Sequence, residues 1–98
     1  MEIKTTRNDS ELMVALSGRL DTLTSPDLED KLDEELEGVE RLIFDLGELE
    51  YISSAGLRVL LYAQKIMDKQ GSMKLIHVSP VLMDIFEITD FVSILTIE

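Results

Sequence analysis

Phe44-Asp45-Leu46-Gly47-Glu48-Leu49-Glu50-Tyr51-Ile52-Ser53-Ser54-Ala55-Gly56-Leu57 is the stretch whose reading decides the fold. Its first residues extend Arg41-Leu42-Ile43, and residues 41–46 read as a short, nearly continuous apolar strand. Such strands occur where both faces of a sheet are covered. Gly47 to Glu50 reads as a loop. From about Ser54 to Gln70 a helix is expected, with Leu57, Leu60, Leu61, Gln64 and Met67 at helical spacing and Gly71 closing it. A buried strand that turns through a short loop into an amphipathic helix is the unit of an α/β protein.

The same alternation extends in both directions. Upstream, Ile3 to Arg7 and Glu11 to Ser17 are two strand-like runs separated by Asn8-Asp9-Ser10, which is turn chemistry. They predict a hairpin whose first strand lies at a sheet edge. Ser25-Pro26 then offers a helix cap followed by proline at the first helical position. Leu28, Leu32 and Leu36 form one apolar stripe on an otherwise acidic helix that Gly38 ends. The acids between Asp27 and Glu37 read as a solvated face. Downstream, Lys74 to Val78 predicts another buried strand, and Ser79-Pro80 repeats the cap-and-proline device. A third helix is expected to bury Val81, Leu82, Ile85 and Phe86, and Phe91 to Ile97 a last strand. The predicted order is β-β-α-β-α-β-α-β in a single domain, residues 1–98, with a mostly parallel mixed sheet packed against helices.

Composition narrows the function. The 98 residues leave room for one core, and 45% of them are apolar, enough to fold despite a net charge of −11. That charge argues against nucleic acid, since phosphate neutralisation takes clustered Lys and Arg, whereas the nine here are scattered. It also opposes an anionic membrane surface. No cysteine means no disulfide, thiol nucleophile or Cys-ligated metal. No apolar run approaches the ~18 residues of a membrane span, and the first residues lack the apolar core of a signal peptide. A cytoplasmic protein that binds other proteins, or small ligands held locally, is expected.

Catalytic constellations are missing as well. There is no phosphate-binding Gly-x-x-x-x-Gly-Lys-Ser/Thr and no Gly-x-Gly-x-x-Gly. Ser54, His77 and an aspartate could supply a triad, but no Gly-x-Ser-x-Gly elbow surrounds the serine. His77 lies within a strand-like run and reads as a structural histidine. Neither a catalytic residue, a metal site nor a cofactor is expected, and the chain reads as a non-enzyme. What stands out is the helix start itself. Ser53 or Ser54 can serve simply as the cap. Ala55 and Gly56 beside them also leave room for a partner or a phosphate to approach the backbone amides. The residues alone leave both possibilities open. Met67, Met73 and Met83 are at core-compatible spacings.

Here the chain resembles a known family. Asp45-Leu46 followed by Tyr51-Ile52-Ser53-Ser54-Ala55-Gly56-Leu57 is similar to the signature of STAS domains, which include the bacterial anti-sigma-factor antagonists. Their pattern is roughly Asp-Leu-Ser-x-Val-x-Phe-Met-Asp-Ser-Ser/Thr-Gly-Leu. Gly18-Arg19-Leu20-Asp21 resembles the family's Gly-Glu-Leu-Asp turn, and Val78-Ser79-Pro80 the start of its third helix. The three landmarks keep their order and intervals over nearly the whole chain.

The resemblance implies a partner-switching regulator of transcription. Such an antagonist binds an anti-sigma factor that is also an ATP-dependent serine kinase, and so frees the sigma factor. Phosphorylation of a serine at the start of the second helix ends the binding, and a serine phosphatase resets it. By position the acceptor is Ser54, with Ser53 as rival. Asp21, Ser53, Ser54, Ala55, Gly56 and Leu57 carry over as partner-binding residues. Two positions depart from the pattern: Ser53 stands where the antagonists commonly have Asp, and Ala55 where they have Ser or Thr. Some STAS domains stand alone with other partners. The alternative is therefore a domain binding a nucleotide, a small ligand or a non-sigma protein, with no basic residue between Arg41 and Arg58 to favour ATP.

Overall fold

Every second residue of the stretch Leu12-Val14-Leu16 is apolar and fully shielded, which fixes one face of a strand against a helical layer. The computed structural model describes residues 1–98. Strand β1 (Glu2–Asn8) pairs antiparallel with β2 (Glu11–Leu20) through the Asp9-Ser10 turn, where Asp9 takes a left-handed φ of 56°. Helix α1 (Ser25–Glu35) crosses to β3 (Arg41–Ile52), which pairs parallel with β2. Helix α2 (Ser54–Gln70) crosses to β4 (Ser72–Ile76), which pairs parallel with β3. The sheet order is β1-β2-β3-β4, with β1 at an edge, and helix α3 (Pro80–Ile88) follows. A cluster of 23 buried side chains is built around Phe44, Phe86, Leu12, Leu16, Leu32 and Leu60.

Helix α1 buries Leu28, Leu32 and Leu36, as its i, i+4, i+8 stripe requires. Its last turn has no basic residue, and donors come from elsewhere. Arg7 Nη1 donates to the carbonyls of Glu35 (3.1 Å) and Glu37 (3.2 Å). Gln70 Nε2 donates to those of Leu36 (3.0 Å) and Val39 (2.8 Å). These bonds satisfy carbonyls at the end of α1 and in the turn that follows it. The Tyr62 hydroxyl donates to Asp33, tying α2 to α1.

Five expectations are corrected. Ser25 is not the cap of α1. It is buried inside the first turn and its Oγ donates to the Asp21 carbonyl (2.6 Å), while Thr24 occupies the cap position. Gly47 to Glu50 is not a loop. The strand runs through to Ile52 by way of a bulge, marked by a register shift between Ala15 and Ser17 on β2. His77 is not in a buried strand: β4 stops at Ile76, and His77 turns out with φ 58° and an exposed ring. Val81 is 59% exposed, because α3 faces the core through Leu82 and Phe86, four residues apart. The last strand is absent. Asp90 adopts a left-handed φ of 62°, Phe91–Ser93 form a 3-10 turn, and only Ile97 bridges to Leu75.

Leu32 lies at the centre of the α1 stripe with no exposed surface. Leu32→Ala is expected to lower stability by about 2–5 kcal/mol, through lost burial and the cavity it leaves. Urea denaturation monitored by circular dichroism checks this.

Candidate functional site

The parallel pairing of β2 with β3 brings Leu20 opposite Ile52, so the chain leaves both strands at the same end of the sheet. The turn after β2 carries Asp21, and the residue after β3 is Ser53. A backbone bond from Ser53 N–H to the Leu20 carbonyl (2.9 Å) joins the two exits. Asp21 and Ser54 therefore lie at the same end of the sheet.

The two serines divide the work. Ser53 has extended backbone (φ −95°, ψ 176°), and its Oγ accepts from the Gly56 N–H at 3.4 Å. Its carbonyl accepts from the Leu57 N–H at 2.9 Å, the first turn of the helix. Ser53 is thus the cap. Ser54 is the first helical residue, exposed, with a hydroxyl that makes no hydrogen bond within the chain. The first turn contains no acidic residue, so the positive end of the helix dipole is not met by a carboxylate of its own.

Gly56 is small for a reason other than partner access. A Cβ there would lie 2.7 Å from Leu20 Cγ, 2.8 Å from Ile52 Cγ1 and 3.0 Å from the Leu20 carbonyl oxygen. The glycine lets α2 start directly against the two strand ends, and Leu57 is buried beside it. Both residues act from beneath the surface. Ala55 is half-buried and, with Thr22, Ser25, Pro26, Glu29, Arg58 and Val59, lines a groove of about 250 Å³ between the starts of α1 and α2.

Asp21 works as a turn residue. Its Oδ1 accepts from the N–H groups of Leu23 (3.0 Å) and Thr24 (3.2 Å) and from the Thr24 hydroxyl (3.3 Å), while Arg19 lies 3.8 Å from Oδ2. Burial pushes its pKa up, but the hydrogen bonds from Thr24 and Leu23 and the charge of Arg19 outweigh it and hold the carboxyl below its usual 3.8. Asp45 is lowered too, by hydrogen bonds from the Gly47 N–H (3.0 Å) and from His77 Nδ1, 2.9 Å away. His77 and Asp45 sit at the end of β4, apart from the serines.

Three surface residues at this end escaped the sequence reading. Leu23 is 86% exposed in the turn after Asp21. Tyr51 is 37% exposed, with the Arg19 guanidinium 4.4 Å from its ring centroid. Arg58 follows Ser54 by one helical turn. An apolar residue stranded in Asp21-Thr22-Leu23-Thr24 was the available signal for Leu23. Nothing in the sequence marked Tyr51 as exposed, because the loop expected before it was in fact strand.

The STAS domain family model matches residues 2–98. The chain belongs to the STAS domain family. It is 38% identical over 96 residues to BtrV of Bordetella bronchiseptica, covering 96% of this chain and 83% of that protein. It is 33% identical over 92 residues to the anti-sigma-B factor antagonist of Bacillus subtilis, covering 93% and 84% respectively. Among solved structures, unphosphorylated SpoIIAA, an anti-sigma factor antagonist, superposes with a TM-score of 0.78 at 16% identity, covering 99% of this chain and 87% of that one. Phosphorylated SpoIIAA of Bacillus superposes with 0.77, again at 16% identity, covering 99% and 91%. This STAS fold is the mixed four-stranded sheet with three helices described above. No helix in it is long and apolar enough to cross a membrane.

Two outcomes are expected from this geometry. Gly56→Ala should destabilise the domain by about 1–3 kcal/mol, the cost of forcing a methyl into packed space, read as a lowered denaturation midpoint. In acid, the depressed Asp21 carboxyl contributes stability that is complete above about pH 4. That contribution is lost as pH falls through the lower folded value, because the unfolded chain takes up the proton first. Asp21→Asn should therefore flatten the fall in thermal midpoint below about pH 4, leaving the share due to Asp45.

Proposed function

We propose that the chain is a phosphorylation-controlled anti-sigma-factor antagonist. In its unmodified form it binds an anti-sigma factor that is also a serine kinase. Transfer of phosphate to Ser54 releases that partner, and a serine phosphatase restores binding. The observation that carries this is the separation of roles at the start of α2: Ser53 caps the helix, so Ser54 is left exposed with its hydroxyl uncommitted.

Physical arguments support a protein partner over a small ligand. The four surface depressions measure about 210–290 Å³, below the ~300–1,000 Å³ typical of ligand pockets. Ser54 is instead exposed on an open surface, and Leu23, in the turn after β2, and Tyr51, three residues before Ser54 in the chain, are exposed at the same end of the sheet. Tyrosine is enriched among the residues that anchor protein interfaces, and an exposed leucine adds apolar area to cover. Asp21 serves by holding the Leu23 turn in shape, and Gly56 and Leu57 by seating α2 against the strand ends. Ala55 and Ser54 supply the contact surface itself.

Phosphate on Ser54 adds about −1.5 to −2 charges at a helix N-terminus, where unpaired amide donors and the dipole favour an anion. The domain should tolerate it. The complex should not, since the phosphate must be desolvated against a surface fitted to a neutral hydroxyl. Ser54→Asp is expected to weaken partner binding about 30- to 5,000-fold with the thermal midpoint nearly unchanged. Ser54→Ala should bind normally and resist phosphorylation. Calorimetric titration with the cognate anti-sigma factor reads the first, and intact mass after incubation with kinase and ATP the second. A Ser54→Asp domain that binds as tightly as the unmodified chain would overturn the switch.

A further inference from the structure

The chain has nine cationic side chains among 20 acidic ones, and most of the cations are engaged. Lys4, Arg19, Lys31, Arg41 and Lys74 each have a carboxylate within 4.0 Å, and Arg7 is spent on backbone carbonyls. Arg58, Lys65 and Lys69 have neither, and all three lie on α2. Arg58 is the one at the switch. It follows Ser54 by four residues, so the two share one face of the helix with Cβ atoms about 5–6 Å apart, and both are exposed. Among the groove residues around Arg58 the one carboxylate is Glu29, which does not come within ion-pair distance. Asp21, in the adjoining turn, is committed to the amides of Leu23 and Thr24 and to Arg19. A guanidinium in so acidic a chain, left without a counter-charge one turn from the acceptor serine, is the unexplained feature of this surface.

We infer that Arg58 is the counter-charge of the Ser54 phosphate. This rests on Ser54 being the acceptor. Once modified, Ser54 and Arg58 close an i, i+4 pair in which the anion is N-terminal to the cation, the favourable order with respect to the helix dipole. The planar fork of the guanidinium can take two phosphate oxygens at once, which a lysine ammonium cannot do. The pair holds the phosphate down on the first turn of α2, beside the groove between the two helix starts, instead of letting it swing into solvent. One modification thereby removes two features from the binding face: the neutral hydroxyl and the free cation.

The test uses the full chain with phosphoserine installed at position 54 during synthesis, so that it does not depend on any kinase. Phosphorus NMR follows the second ionisation of the phosphate in the parent and in Arg58→Ala, Arg58→Lys and Lys65→Ala. Pairing with Arg58 favours the dianion, so the parent should titrate about 0.15–0.4 pH unit below Arg58→Ala. Arg58→Lys should recover part of the shift, Lys65→Ala should match the parent, and the difference should shrink at high salt. The thermal midpoint of the unmodified domain should be the same with Arg58→Ala as without it, which excludes a general structural role. Equal titration midpoints in the parent and Arg58→Ala would overturn the inference. A kinase that leaves Ser54 unmodified would overturn the proposed function while leaving the pairing result standing.

Discussion

The register of β2 against β3 is the constraint on which the rest of the molecule depends. Leu20 opposite Ile52 brings two chain exits together, and the bond from Ser53 N–H to the Leu20 carbonyl locks them. With that spacing set, α2 has one place to begin, and a residue with a side chain at position 56 would collide with both strand ends. The cap at Ser53, the exposure of Ser54 and the position of Arg58 all follow from where this helix starts. A one-residue slip between the strands would turn each alternate side chain to the opposite face, and it would separate the Asp21 turn from the serines.

The bulge in β2–β3 makes that register possible over so long a strand. Pairing is regular from Glu11↔Arg41 to Ala15↔Asp45, then shifts, and shifts again between Gly18 and Arg19. Each irregularity adds local twist and re-aims the residues beyond it. This is also why the sequence was misleading at Gly47 to Glu50. A glycine and two glutamates interrupt the apolar pattern, and interrupted alternation resembles a loop when the partner strand is unknown.

Elsewhere the sequence was legible where one local force dominated. The stripes of α1 and α2, the hairpin turn and the Ser79 cap, whose Oγ accepts from Leu82 N–H at 3.3 Å, are all set by short-range patterns. Ser25-Pro26 repeats the dipeptide of Ser79-Pro80, yet its serine is buried because the preceding turn, held by Asp21 and Thr24, has already begun the helix. That difference lies in residues brought together by the turn, which a dipeptide does not reveal. His77 and the residues after Asp90 failed for a related reason. Both depend on single left-handed backbone positions at non-glycine residues, which are uncommon even for the Asp and His types that adopt them most readily. At the candidate site the serines and Asp21 were visible as a motif. Leu23, Tyr51 and Arg58 were not, because exposure and the absence of a counter-charge are properties of the folded surface.

The unequal lengths of β3 and β4 have a consequence for how the molecule moves. β4 stops opposite Asp45, so residues 41–45 are held between strands on both sides, while residues 48–52 are bonded along one edge only. The domain is built like a board clamped at one end, with the serines just past its overhanging edge. Backbone amides in the overhang open to solvent at lower free energy than those in the clamped part, as sparsely bonded segments do. The end that carries the serines can therefore yield locally, while the clamped half keeps the chain folded.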